Sequence, residues 1–225
     1  MTETSLAVSL ITTCKGRLAH LKETLPAFLA QGAGCEVIVV DYDCPEGAAA
    51  WVNANHPQAR VVQVRDEPIF NACKARNRGG AVATGRWLAF VDADVVLPEG
   101  FCAWLAGRAR EGQFYRLRSP APDLIGTFMC SRSDFLEVGG YDEAMHGWGG
   151  EDRELYDRLK FTLGRTQVDV ADEHIRTIKH SDSERMRFAE LADKALNQCI
   201  NAVYRQAKFD LMRLAAEIHL PLPLR

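Results

Sequence analysis

The sequence predicts an α/β fold in which a mostly parallel sheet is flanked by helices and followed by a C-terminal helical extension. In the first half of the chain, short apolar runs alternate with segments of helical periodicity, a pattern typical of successive βαβ units. Each apolar run there is followed by acidic or basic residues. Near the C-terminus, apolar residues recur at helical spacing over a long segment, which predicts the extension.

The N-terminal half predicts four strands and three helices. The strands are the apolar runs Leu6–Ile11, Glu36–Val40, Arg60–Val64 and Trp87–Val91. The helices are Leu18–Leu29, Ala48–Asn55 and the middle of Phe70–Gly80. Because the carboxyl ends of parallel strands meet at one edge of a sheet, the polar groups that follow these runs predict a ligand site at that edge.

The C-terminal half predicts shorter elements. Helices are predicted over Phe101–Arg110 and Ser133–Val138, strands over Thr127–Cys130, Thr166–Val170 and Arg176–Lys179, and an irregular segment over Gln113–Gly126. From Ser183 to Ile218 the periodicity predicts one long helix or two. We therefore expect a domain over residues 1–182 and a helical extension over 183–225 that packs on it. A homodimer through this helix, or contact with a membrane surface, is the alternative.

The composition is that of a soluble globular protein. Of the 225 residues, 47% are hydrophobic and 25% are charged, and the net charge of −3 argues against a nucleic-acid partner. Seven cysteines without a C-x-x-C pair argue against a disulfide framework or a zinc cluster and favour a reducing compartment. Since the sequence has neither a signal-peptide pattern nor an apolar run long enough to cross a bilayer, we expect a cytoplasmic protein.

The stretch Gly139–Lys160 carries the strongest functional signal. Within it, Trp148–Asp152 places an aromatic ring, two glycines and two carboxylates in a row, just before an amphipathic helical pattern. The free amides and the dipole at a helix N-terminus favour acidic residues, so a plain N-cap by Asp152 is the simpler interpretation. Capping does not require Trp-Gly-Gly, and glycines cost backbone entropy unless something approaches closely, which favours a functional site.

A second acidic motif, Asp92-Ala93-Asp94, directly follows a predicted strand. Two carboxylates one residue apart on a turn can hold a hard divalent cation that also binds phosphate oxygens. Acidic turns after strands are common, so the motif alone is a weak signal. His180 strengthens it, because imidazole together with carboxylate suits Mn²⁺ or a similar borderline ion better than Ca²⁺. A lone histidine before Ser-Asp is otherwise a surface or capping residue.

Four segments, taken in order, resemble the β-1,4-galactosyltransferase family and its bacterial relatives among the GT-A glycosyltransferases. They are FNACKARNRGG, WLAFVDADV, GGYDE with GWGGEDRELYDRL, and RTIKHSD, and the resemblance covers residues 6–185. The opening VSLITTCKGRLAHLK is also similar to the family's first strand and nucleotide loop. Trp148–Asp152 together with His180 is the most specific part, whereas many GT-A enzymes share the D-x-D motif. The resemblance implies a Rossmann-like GT-A fold.

The resemblance also implies a metal-dependent, inverting transfer of a hexose or N-acetylhexosamine from a UDP-sugar to an acceptor hydroxyl. Asp94 and His180 would ligate Mn²⁺ or Mg²⁺ with Asp92 nearby at the donor, Asp152 would be the general base, and Glu151 would orient the acceptor. Trp148 would stack near the sugars on a mobile loop. The glycine hinges of that loop would be Gly147, Gly149 and Gly150. The residues placed where the family holds the nucleotide, or on the neighbouring segment, are Thr13, Lys15, Arg17, Asp41, Lys74 and Asn77.

The sequence departs from the family pattern at several positions. Arg153 and Glu154 replace the last two acids of the family's Glu-Asp-Asp-Asp run. Thr177 stands where the animal enzymes have a methionine ligand, which leaves Mn²⁺ and Mg²⁺ both open, and Ala72 stands where they have an arginine near the uridine. The family's membrane anchor and luminal disulfides have no counterpart in this sequence, which favours a bacterial cytoplasmic enzyme.

Two other functions stay open. A sugar nucleotidyltransferase uses a related sheet and metal-bound phosphates, but it normally has a Gly-rich, basic loop after the first strand, and TTCKGR is poor in glycine. A non-catalytic nucleotide-sugar-binding protein is disfavoured by the intact Asp94, Asp152 and His180. The sequence names neither the donor sugar nor the acceptor, for which a glycan, a peptide and a small molecule are all open.

Overall fold

The computed structural model describes residues 7–118, 126–171 and 174–218. The strands in these ranges are β1 Val8–Cys14, β2 Cys35–Tyr42, β3 Arg60–Val64, β4 Trp87–Phe90, β5 Val95–Val96, β6 Gln113–Arg118, β7 Phe128–Ser131, β8 Thr166–Ala171 and β9 Arg176–Thr177. The helices are α1 Leu18–Leu29, α2 Ala48–Asn55, α3 Ala72–Val82, α4 Phe101–Ala106, α5 Arg132–Glu137, α6 Glu151–Leu163, α7 Asp182–Met186 and α8 Lys194–Glu217.

Seven of the strands form one central sheet, in the order β3-β2-β1-β4-β7-β6-β8. Strand β1 runs parallel to both β2 and β4, β2 parallel to β3, and β6 parallel to β8, whereas β7 is antiparallel to both of its neighbours. The register places Val8 opposite Cys35 on one side and Trp87 on the other, so β1, β2 and β4 end at the same edge. The mostly parallel sheet predicted from the sequence is confirmed.

The core consists of two apolar layers, one on each face of the sheet. Leu10 and Val39 pack with apolar side chains of α1, α2 and α4, whereas Ile11 and Ile38 pack on the other face with those of α3, α5 and α6. Successive strand residues point to opposite faces, and here both faces are buried. This explains why the inner strands are continuous apolar runs in the sequence.

Two segments differ from the sequence-based prediction. Gln113–Arg118, expected to be irregular, is strand β6, whose Phe114 and Leu117 are buried in the core and whose Arg116 pairs with Asp169 of β8 at 3.0 Å. Helix α4 ends before Gly107, earlier than the predicted end at Arg110, and glycine has a low helix propensity. Residues 119–125 of the expected irregular segment, and Leu6 of the first predicted strand, lie outside the described residues.

The C-terminal periodicity corresponds to two helices, α7 and α8. Helix α8 packs on the domain through polar residues: Lys208 lies 2.5 Å from Asp142 and 2.7 Å from Glu154, and Arg205 lies 2.7 Å from Asp157. The apolar residues that predicted this helix are instead exposed. Besides the ion pairs, the ring of Phe209 contacts that of Phe161 of α6, and Ala215 is buried. The division between residues 182 and 183 falls inside α7 and stays a prediction. None of the described helices combines the length and the hydropathy that crossing a membrane requires.

Candidate active site

A cavity of about 440 Å³ lies at the edge where β1 and β4 end. The segments that line it follow β1, β4 and β9 and include the N-terminus of α6. Its volume is within the range of small-molecule sites, about 300–1,000 Å³. The residues that the sequence indicated and that line this cavity are Thr13, Lys15, Arg17, Asp92, Asp94, Gly147, Trp148, Gly149, Gly150, Glu151, Asp152 and His180.

The pairing of β5 with β9 brings Asp94 and His180 together. Val95 pairs with Thr177, and the amide of Ile178 donates to the carbonyl of Asp94 at 2.7 Å. Nε2 of His180 then lies 2.5 Å from Oδ2 of Asp94. A short antiparallel ladder thus joins two residues that are 86 positions apart in the sequence.

The Asp94–His180 pair fits a divalent metal ion. A carboxylate together with an imidazole suits Mn²⁺ or a similar borderline ion that also binds phosphate. Among the residues that the structure describes, no cluster of three or more His, Cys, Asp or Glu side chains is found that would hold a metal without further ligands. Nη1 of Arg17, 4.0 Å from Asp94, adds positive charge that favours a diphosphate.

Arg76, which the sequence patterns did not indicate, links the two acidic motifs. Its Nη2 lies 2.8 Å from Oδ1 of Asp92, and its Nη1 lies 3.1 Å from Oδ1 of Asp152 and 3.3 Å from Oε1 of Glu151. The guanidinium also lies over the ring of Tyr141, 5.1 Å from its centroid. Because Arg76 is only 6% exposed, these carboxylates are held around a buried cation.

The sequence does contain a signal for Arg76. It lies on the buried face of α3 together with Cys73 and Gly80, which stand one helical turn before and one turn after it. A charged residue on a face of otherwise small residues needs a partner of opposite charge once it is buried. The sequence alone could not show which carboxylates provide that partner.

The environment of Asp152 shifts its ionisation towards neutral pH. Burial is the largest influence and raises the pKa of Asp152 to about 7; Arg76 opposes this shift, whereas Glu151 and Asp92 add to it. The hydroxyl of Tyr141 donates to Oδ1 at 3.3 Å and slightly favours the ionised form. A carboxylate that titrates near neutral pH is suited to act as a general base.

The loop 147–150 is supported from behind by α8. Gly147, Gly149 and Gly150 have φ values of 72°, 94° and 99°, a left-handed conformation that glycine adopts without strain. Nδ2 of Asn201 donates to the carbonyls of His146 and Gly149 at 2.9 and 2.8 Å. The loop therefore takes its shape from its glycines and from one side chain of the C-terminal helix.

Trp148, in this loop, lies between two cationic side chains. Nζ of Lys194 is 4.2 Å from the centroid of the ring, and the guanidinium carbon of Arg185 is 5.7 Å from it. Both distances are in the range of cation–π contacts. Helices α7 and α8 thus fix the tryptophan at the wall of the cavity.

Three residues that the resemblance placed near the nucleotide do not line the cavity. Both carboxylate oxygens of Asp41 accept backbone amides, from Cys44 at 2.8 Å and from Ala49 at 2.7 Å, and so fix the turn into α2. Lys74 forms an ion pair with Glu67. The third residue is Asn77.

Asn77 and Lys15 mainly bind backbone groups. Asn77 donates to the carbonyl of Tyr141 at 2.9 Å and accepts from its amide at 2.8 Å, which holds the start of the 141–150 segment. Lys15 lines the cavity, yet its ammonium donates to the carbonyls of Tyr42, Asp43 and Glu67 at 3.2, 2.9 and 2.7 Å. Both side chains therefore fix the loops that surround the cavity.

Two family models match the chain. The model described as "Glycosyl transferase family 2" matches residues 9–115, and the model described as "N-terminal domain of galactosyltransferase" matches residues 108–181. Beta-1,4-galactosyltransferase 2 of Cricetulus griseus is 25% identical over 173 residues, which cover 65% of this chain and 47% of the relative. The corresponding protein of Mus musculus is 26% identical over 151 residues, 58% of this chain and 41% of the relative. The chain thus spans less than half the length of these relatives.

Solved structures share the fold. A mannosyltransferase of Pyrobaculum calidifontis, in complex with GDP-Man and Mn²⁺, matches with a TM-score of 0.65 and 15% identity over 96% of this chain and 76% of its own. Glucosyl-3-phosphoglycerate synthase of Mycobacterium tuberculosis, in complex with Mn²⁺, UDP and phosphoglyceric acid, matches with a TM-score of 0.62 and 17% identity over 81% and 74%. These likenesses show that the chain shares its fold, a mostly parallel sheet flanked by helices, with both enzymes. Together with the two family matches, these likenesses support a galactosyltransferase-like glycosyltransferase with a GT-A fold.

Proposed function

We propose that the chain is a metal-dependent, inverting glycosyltransferase that moves a hexose or N-acetylhexosamine from a UDP-sugar to an acceptor hydroxyl. The observation that carries this proposal is that Asp94, His180 and Asp152 all line one cavity. The metal is supported by the donor chemistry of the Asp94–His180 pair and by the Mn²⁺ in two structurally similar enzymes. The uridine nucleotide is supported by the UDP in one of them and by the resemblance to β-1,4-galactosyltransferases.

On the donor side, Asp94 and His180 would hold the ion, which neutralises the negative charge of the departing UDP when it is bound. Arg17 lies beside this pair and would bind the diphosphate, and Thr13 would contact the nucleotide from the end of β1. Asp92, fixed by its ion pair with Arg76, would face the donor sugar. The residues that would act indirectly, by fixing the surrounding loops, are Lys15, Asp41, Lys74 and Asn77.

On the acceptor side, Asp152 would remove the proton of the attacking hydroxyl. Its Oδ1 is bound to Arg76 and Tyr141, so Oδ2 would take the proton. A Cβ at Gly126 would lie 3.1 Å from this Oδ2, which explains why a residue without a side chain stands there. Glu151 would orient the acceptor, and Trp148 would stack on the sugars. Attack opposite the nucleotide, through an oxocarbenium-like state, inverts the anomeric centre.

Metal dependence tests the proposal without knowledge of the acceptor, because slow hydrolysis of the donor needs none. We expect the chain to hydrolyse a UDP-sugar in the presence of Mn²⁺ and EDTA to abolish this activity. The His180→Ala substitution should raise the Mn²⁺ concentration for half-maximal activity by at least about 10-fold, since one of two protein ligands is lost. His56→Ala, on a histidine outside the cavity, is the control. Full activity in EDTA, or a preference for GDP-mannose, would contradict the metal or the uridine assignment respectively.

The pH dependence of transfer follows from the raised pKa of Asp152. The general base must be ionised, so we expect kcat/KM to rise with pH and to level off above an apparent pKa of about 7. The same shift has the opposite effect on stability: a carboxyl whose pKa is raised on folding stabilises the fold most at acidic pH and less as pH rises through 7. A pH–rate profile at saturating metal measures the first effect, and a profile that is flat across neutral pH would argue against Asp152 as the base.

A further inference from the structure

Helix α8 carries an apolar stripe on the side that faces away from the domain. Its members are Leu196, Ile200, Val203, Ala207, Leu211, Leu214 and the C-cap residue Ile218. The six large side chains among them are between 45% and 66% exposed. A contiguous apolar surface of this kind marks an interaction site more often than it marks free surface.

The polarity of α8 is the reverse of that of an ordinary surface helix. A surface helix normally turns its apolar side towards the core. In α8, the buried side carries Asn197 and Asn201, 5% and 4% exposed, and the cations Arg205 and Lys208 in ion pairs with the domain. The domain therefore satisfies the polar side of α8, and the apolar side faces no element that the structure describes.

The spacing of the stripe is symmetric about Ala207. Val203 and Leu211 stand four residues to either side of it, followed by Ile200 and Leu214 at seven and by Leu196 and Ile218 at eleven. An 11-residue repeat corresponds to 3.67 residues per turn, so the stripe stays on one face of a nearly straight helix. A stripe that is identical in both directions can pair with an antiparallel copy of itself, as a two-fold interface requires.

The charges next to the stripe favour a second copy over a membrane surface. Helices that bind anionic lipid carry Lys and Arg along the border of their apolar face. Here the exposed border carries Asp210, Arg213 and Glu217, whereas the nearby Lys208 is paired with the domain. In an antiparallel pair, the two copies of Glu217 lie at opposite ends of the interface and do not repel each other.

We propose that two copies of this chain pair through antiparallel α8 helices, with Ala207 at the two-fold axis. Leu211 of one copy packs against Val203 of the other, and Leu214 against Ile200. The small side chain of Ala207 allows the two helices to approach closely at the centre. The stripe extends for about 33 Å along the helix, so the interface is an elongated apolar seam between two domains.

Light scattering of the intact chain, measured at low and high concentration, tests the pairing. We expect a mass of twice the 25.0 kDa monomer at high concentration. Leu211→Glu should halve this mass, because it puts a charge into the seam. Leu136→Glu is the matched control: Leu136 is 49% exposed on α5, and its substitution should leave the mass unchanged. A wild-type mass of one monomer at every concentration overturns the proposal, and binding of that monomer to anionic phospholipid vesicles would identify the membrane as the occupant instead.

Disulfide trapping tests the antiparallel orientation. In a Cys199→Ser background, which removes the exposed native thiol of α8, Val203→Cys and Leu211→Cys variants are prepared separately and then mixed under a thiol oxidant. We expect a covalent dimer from the mixture and much less from either variant alone. Efficient cross-linking of each variant with itself would show a parallel pair and overturn the orientation, and no cross-linking of the mixture would overturn the contact.

Discussion

The Asp152→Asn substitution is expected to lower the rate of sugar transfer by about 10²–10⁴-fold, the usual contribution of a general base. The amide keeps the shape of the side chain, but it cannot accept the proton of the acceptor hydroxyl. Binding of the UDP-sugar should change little, because the donor-side residues Asp94 and His180 are untouched. Steady-state transfer assays, with donor binding followed by thermal stabilisation or calorimetry, separate the two effects.

Asp169→Asn is the control for this experiment. Asp169 is also paired with arginine, at 3.0 Å from Nη2 of Arg116, but it lies on β8 and does not line the cavity. We expect this variant to transfer sugar at the wild-type rate. If Asp152→Asn also kept the wild-type rate, another group would have to be the base; a loss of donor binding in Asp152→Asn would instead assign the residue to the donor side.

The Arg76→Met substitution is expected to destabilise the fold by about 3–5 kcal/mol, because it leaves the buried carboxylate of Asp152 without its cation. Arg76 lowers the pKa of Asp152, so its removal raises that pKa further above its ordinary value. A buried carboxyl with a raised pKa becomes more costly to bury as pH rises through that pKa, so the loss of stability should be larger at alkaline than at acidic pH. Urea unfolding at two pH values measures both the loss and its direction.

Arg116→Met provides the comparison for Arg76→Met. It makes the same change at an ion pair that is partly exposed: the side chain of Arg116 is 22% exposed and that of Asp169 is 32% exposed. Water can therefore solvate the carboxylate that remains. We expect a loss of less than about 1 kcal/mol there. Equal losses for the two variants, or a loss for Arg76→Met that shrinks as pH rises, would contradict the interpretation that Arg76 compensates buried charge.

Elements with a clear period could be predicted from the sequence. Helix α1 begins and ends at the predicted Leu18 and Leu29, and β3 has its predicted bounds, Arg60 and Val64. Strand β6 was not predicted, because the mixed pattern of Gln113–Arg118 becomes a strand only through its pairing with β7 and β8. Local sequence therefore predicts the helices and strands whose apolar residues follow a clear pattern. Strands with a mixed pattern, such as β6, form only through pairing with neighbouring strands.

In the candidate site, too, some residues could be predicted from local sequence and others depend on tertiary contacts. Asp92, Asp94 and the Trp148–Asp152 segment could be located because each follows or precedes an element with a clear pattern. Arg76 could not, because its role depends on carboxylates that lie 16 and 76 positions away. Asp41 and Lys74 illustrate the opposite case: the residue types fit a ligand site, yet backbone amides and Glu67 engage their polar atoms.

The hydrogen bonds of Asn201 have a consequence for how this chain can diversify in sequence. One helix supplies both the support of the tryptophan loop and, through Gln198, Ala202 and Arg205, part of the cavity wall. Recombination that exchanged the C-terminal segment would therefore replace two features in a single event: the side chain that supports the 147–150 loop and the part of the cavity wall that α8 forms. Under the proposed function, acceptor preference and the C-terminal helix should thus be inherited as one unit, separately from the half of the chain that carries Asp92 and Asp94.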